Sequence, residues 1–265
     1  MTLWPDGSRE HPSTPLRLHN FLHNQVLGVP PTLTSRSEVP PGLRLGAVPA
    51  AWVLPLAAAL LVTVPVFLQA PWVRAAPTAA TLFTLPLMGL ALLLERRGQG
   101  LWQPLGVVLV GFSGSWLGGC LFWGWFRLHP VMHLPLEAFA LPLAVAGLGG
   151  RWRLAGAFYL GSLLGTASTD GVMAAAGLMD LWPRVLQAPL SEAPVLLQGA
   201  ALQVLQPWPL SLVGLAAGLL VLLCRRLWSL GGPWRVAAAA VGTTLAVDAL
   251  FLGAALLAPH LSGLI

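Results

Sequence analysis

Lysine is absent from this 265-residue sequence, and charge of either sign is scarce, at 9% of residues. With hydrophobic residues at 56% and a mean hydropathy of +0.77, that poverty excludes an ordinary soluble domain of this size. Two cysteines, Cys120 and Cys224, are too few for a disulfide framework or a cysteine-based zinc site. The formal charge of +5 comes entirely from 14 arginines, which form no dense basic run and so leave no footprint for nucleic acid. The exclusive use of arginine fits a GC-rich genome better than a binding partner.

The composition is that of a polytopic membrane protein. Residues 1–48 are polar, proline-rich and scattered with charge, and they contain no apolar core of the kind a signal peptide needs. They are expected to form a mostly disordered cytoplasmic tail ahead of a single transmembrane helical domain, 49–265. From Pro49 onward, apolar runs of about 18 to 25 residues alternate with short breaks, the length required to cross roughly 30 Å of hydrocarbon. The fold class is therefore all-α, a membrane helix bundle of about seven spans: 49–69, 77–94, 104–126, 134–149, 154–179, 209–224 and 234–258. The fourth and sixth are short.

Arginine placement gives an independent reading of this topology. Arg9, Arg17, Arg36, Arg44, Arg96, Arg97, Arg151, Arg153, Arg225, Arg226 and Arg235 fall on one side, against Arg74, Arg127 and Arg184 on the other. By the positive-inside rule the N-terminus is cytoplasmic and the C-terminus external or lumenal, which requires an odd number of spans. Between the fifth and sixth spans, three prolines precede an apolar run of about eleven residues that carries Gln198 and Gln203. It is too short to cross and is expected to form an interfacial or re-entrant helix.

One stretch, "WFRLHPVMHLPLEAFALP" from Trp125 to Pro142, puts Arg127, His129, His133 and Glu137 into the oily part of the chain. It falls at the outer turn between the third and fourth spans. On a continuous helix His129, His133 and Glu137 would share a face and could ligate a metal. Pro135 interrupts such a helix, and Pro130 reads as its first-turn residue, leaving His129 outside. A polar, hydrogen-bonded rim is therefore preferred, with no metal and no cofactor expected.

Two acids lie deeper. Asp170 shares a helical face with Ser162, Thr166 and Thr169, beside a ridge of Gly161, Gly165 and Ser168 suited to close helix packing. Asp248 has Thr244 one turn earlier. Carboxylates in a bilayer are costly without a partner, so both are read as helix–helix hydrogen-bonding groups or as parts of a solute or proton pathway. Their flanking residues lack the patterns of intramembrane aspartyl proteases, and no enzymatic activity is expected. Gly111, Gly114, Gly118 and Gly119 of the third span are read as packing positions.

The segments "QAPWVRAAP", "GFSGSWLGGCLFWGWFRLHPVMHLPLEAFALP" and "FYLGSLLGTASTDGVM" together resemble a cyanobacterial membrane-protein family defined only as a domain of unknown function. The resemblance covers roughly residues 50 to 258. It implies a plasma or thylakoid membrane of a cyanobacterium and brings no activity or catalytic residue.

Two function classes follow. In the first, a permease-like protein handles a small polar or anionic solute, with Arg74, Arg127 and Arg184 attracting it, His129, His133 and Glu137 lining its path, and Asp170 or Asp248 coupling a proton. In the second, a non-enzymatic assembly factor contacts photosynthetic-complex subunits or chlorophyll through its tryptophans, His129, His133 and glycine-packed helices. The buried acids favour the first.

Overall fold

The computed structural model describes residues 50–189 and 191–261; the expected tail, 1–48, lies outside them. Among the described residues there is no strand. Nine helices among the described residues follow in chain order, with a 3₁₀ turn Pro259–Leu261 after the last: α1 Ala51–Ala75, α2 Pro77–Arg97, α3 Trp102–Phe126, α4 Pro130–Gly147, α5 Arg153–Ala175, α6 Leu181–Gln187, α7 Ala193–Val204, α8 Pro207–Leu230 and α9 Pro233–Leu257. Prolines open α2, α4, α8 and α9, where a fixed φ suits the first turn and the missing N–H has no intrahelical partner to lose. Gly231 and Gly232 turn the chain between α8 and α9 at φ of 73° and 49°, a region that penalises any Cβ.

Six helices, α1 to α4, α8 and α9, are long and apolar enough to cross a bilayer. Their outward leucines, among them Leu85, Leu143 and Leu222, are exposed, as lipid-facing side chains are. This is an integral membrane protein. α5 has the length, 23 residues, but Ser162, Thr166, Ser168, Thr169 and Asp170 dilute its apolar run. The short α7 occupies the place of the expected interfacial or re-entrant helix; Gln198 Nε2 donates to the carbonyl of Leu256 at 3.2 Å and Gln203 Nε2 to that of Ala176 at 3.4 Å.

Several expected boundaries are corrected. The first span does not stop at Gln69. Pro65, which cannot donate to the preceding turn, is absorbed as a π-helical turn, Pro65–Gln69, and the helix runs on to Ala75 with Arg74 in its last turn. The sixth span is not short, because the helix continues past Cys224 through Arg225 and Arg226 to Leu230; arginine is a good helix former whose head can reach water from a span's end.

α3, α5 and α9 form the centre of the bundle. Their contacts depend on glycine. A Cβ on Gly111 would lie 2.4 Å from the Ala155 carbonyl oxygen, one on Gly161 2.7 Å from that of Ala237, and one on Gly165 2.6 Å from Thr244 Oγ1. The sequence's packing ridge on α5 is thus seated on α9. An aromatic cluster of Trp72, Phe83, Phe112, Trp116 and Phe158 joins α1, α2, α3 and α5, with Trp116 Nε1 donating to the Ala80 carbonyl at 3.0 Å. Buried Gln69 donates to the Trp116 carbonyl at 2.6 Å and faces Gly119, where a Cβ would press within 3.1 Å of its amide.

Candidate functional site

α4 is discontinuous. After a 3₁₀ turn at Pro130–Met132, one helical piece runs His133–Glu137 and a second Leu141–Gly147. Pro142 has no N–H to return to Ala138, and the three intervening residues turn away from helical bonding: Leu141 N–H reaches the Ala138 carbonyl instead of that of Glu137. This orphans the Glu137 carbonyl and the Ala140 N–H. Both are met by one group, the hydroxyl of Tyr159 on α5, which donates to the Glu137 carbonyl and accepts from Ala140 N–H at 3.1 Å. Gly114 and Gly118 on α3 make room: a Cβ there would lie 3.3 Å from the Tyr159 ring and 2.9 Å from Glu137 Cα.

The first piece of α4 carries the site. His133 Nε2 lies 3.3 Å from Glu137 Oε1, one turn along the same helix, while Nδ1 lies 3.0 Å from Asp170 Oδ2 and 3.1 Å from Oδ1 on α5. The three side chains are 13–18% exposed. Both ring nitrogens face carboxylate oxygens, so the contacts are satisfied when two protons are shared among the three groups: an imidazolium between two carboxylates, or a neutral ring with one carboxyl protonated. Removing one proton points a nitrogen lone pair at a carboxylate and turns one contact repulsive. The geometry of the site is therefore tied to its proton content.

Aromatic rings pack around the imidazole. Phe122 stacks on it at 4.2 Å between centroids, and Trp123 and Trp182 lie at 6.5 and 6.4 Å. Phe122 and Trp123 belong to a second π-helical turn, Phe122–Phe126, at the end of α3. Trp182, on α6, donates through Nε1 to the Arg127 carbonyl at 2.7 Å, pinning the short helix beside the site.

Next to Asp170, Thr169 Oγ1 donates to Asp248 Oδ2 on α9 at 2.6 Å. The two aspartates thus lie on helices that meet, one paired to His133 and the other to the neighbouring threonine. Of the other candidates, His129 precedes the 3₁₀ turn and is exposed, so it does not join His133 and Glu137. Arg74 and Arg184 are exposed, Arg127 is half-buried, and among the described residues none of the three pairs with an acid. No set of three His, Cys, Asp or Glu side chains among the described residues is arranged to hold a metal ion. The sequence reading missed Tyr159, Phe122 and Trp182. Tyr159 alone carried a signal: a tyrosine within an apolar run, "GAFYLGS", needs a partner for its hydroxyl.

Gly111, Gly114, Gly118 and Gly119 of α3 and Gly161 and Gly165 of α5 lie against this chain's own residues, whereas Gly171 of α5 has nothing within 4 Å. No curated protein and no solved structure matches the chain. A family model does, over residues 58–256, well over half of the sequence and nearly all of the described bundle: the chain belongs to the family described as "Protein of unknown function (DUF3120)".

Proposed function

We propose that this protein is a non-enzymatic, proton-coupled permease for a small polar or anionic solute. The observation that carries this reading is His133 held between Glu137 and Asp170 on a broken helix. Broken helices inside a membrane are tolerated where they border a protein-lined path, and ionisable side chains there belong to such paths. Loss of one proton breaks one of the His133 contacts and frees the first piece of α4, whereas its return draws that piece back to α5. Thr169 and Asp248 extend the polar surface onto α9. Arg127, tied through its carbonyl to Trp182, brings a cation near the outer side of the site, and exposed Arg74 and Arg184 add attraction for anions.

In this reading the N-terminus is cytoplasmic and the C-terminus external or lumenal. Arg96, Arg97, Arg151, Arg153, Arg225, Arg226 and Arg235 lie at helix ends or turns assigned to the cytoplasm, against Arg74, Arg127 and Arg184 outside. Seven crossings, with α5 as the fifth, satisfy this partition.

Reconstitution into liposomes that enclose a pH-sensitive dye tests the proposal. Addition of small anions (phosphate, sulfate, bicarbonate) or zwitterions (glycine, glycine betaine) is expected to drive proton movement with at least one solute, absent from protein-free liposomes. Folded, inserted protein that moves no protons with any of them would overturn the reading.

A further inference from the structure

The break in α4 has a specific fastening. In an unbroken helix the Glu137 carbonyl would accept from residue 141 and the Ala140 N–H would donate to residue 136. Both groups are part-buried beside α5, where an unpaired backbone group is expensive. The chain contains one tyrosine, Tyr159, and its hydroxyl meets both groups while its ring lies against Gly114. Tyr159 is itself buried.

We infer that Tyr159 is a positioning residue that latches the hinge of α4, its single hydroxyl fixing Glu137 against His133 Nε2. This rests on the proposed proton-coupled reading for its significance and deepens it by naming what controls the site. The latch acts on one side of the imidazole. Glu137 is held through its own backbone by the Tyr159 hydroxyl, whereas Asp170 faces Nδ1 from α5 through its own side chain, at the other end of the piece from the break. With the hydroxyl removed, the Glu137 end of the first piece of α4 swings and the Asp170 contact stays.

Tyr159→Phe keeps the ring and removes both hydrogen bonds. In full-length protein in detergent, with no solute and no proton gradient, amide hydrogen exchange at Ala140 is expected to rise by roughly five- to tenfold, the consequence of losing one hydrogen bond. In ¹⁵N-histidine-labelled protein, the His133 Nε2 resonance, assigned by its absence from His133→Gln, is expected to move while Nδ1 keeps its wild-type position. A merely destabilising substitution moves both. Gly114→Ala, whose Cβ would press on the Tyr159 ring from 3.3 Å, is expected to give the same asymmetry at smaller amplitude and serves if Tyr159→Phe fails to accumulate. Unchanged Ala140 exchange, or equal movement of both nitrogen resonances, would overturn the latch. Because neither readout involves transport, an intact latch in a protein that moves no protons would remove the permease reading and leave this one standing.

Discussion

His133 Nδ1 lies 3.0 Å from Asp170 Oδ2, across 37 residues of sequence and between two different helices. The same ring meets Glu137 through its other nitrogen. A cation-capable ring between two acids is held most firmly where water is scarce, and that makes its removal informative.

His133→Gln leaves Asp170 and Glu137 facing a group too short and uncharged to satisfy both. Such loss of a largely buried partner is expected to cost about 2–4 kcal/mol, against under about 1 kcal/mol for Glu137→Gln, which keeps an acceptor for Nε2. Thermal unfolding followed by tryptophan fluorescence reads the difference. With both imidazole nitrogens engaged by carboxylates, neither wild type nor His133→Gln should contain stoichiometric zinc or iron. One tightly bound metal per chain, lost in the variant, would contradict the assignment.

Helix packing predicts a sharp contrast among the glycines of α5. Gly161→Ala places a methyl group 2.7 Å from the Ala237 carbonyl oxygen, backbone that cannot step aside, and is expected to destabilise by about 1–3 kcal/mol. Gly171 has nothing within 4 Å, so Gly171→Ala should be neutral or stabilising by up to about 1 kcal/mol. Equal effects in denaturant titrations would mean that α5 and α9 are not in close contact.

Much of this was legible in the sequence. Pro130 announced that His129 would fall outside the helix, but the expectation that Pro135 interrupts it was wrong. The helical piece His133–Glu137 runs through Pro135, whose first-turn position has no intrahelical bond to lose, and so keeps His133 and Glu137 at i, i+4 on one face. The α5 ridge was readable because small residues three and four apart have few other uses in lipid. The His133–Asp170 contact was not readable. Each residue was marked as polar in an apolar span, but their meeting depends on where α4 breaks and how closely Gly114 and Gly118 let it approach α3, both tertiary facts. Helix ends failed for a related reason: hydropathy stops at the first arginine, whereas backbone hydrogen bonding in α8 continues through Arg225 and Arg226.

The proposed orientation makes its own prediction. A cysteine added after Ile265 should react with an impermeant maleimide from the outer or lumenal face, above the background of the parent chain's Cys120 and Cys224. Labelling from the cytoplasmic face alone would mean an even number of crossings and would remove α5 from the count.

The central claim is that Asp170 shares a proton with His133 and is more than helix-joining glue. Asp170→Asn retains size and a hydrogen bond to the ring but ends proton sharing, whereas Asp170→Leu removes the polar group. Solute-driven proton movement in dye-loaded liposomes, compared for the two at matched protein content, separates the roles. The account predicts that Asp170→Asn folds with a melting temperature close to wild type and loses proton movement, while Asp170→Leu also loses stability. Wild-type proton movement in Asp170→Asn, with failure only in Asp170→Leu, would contradict it.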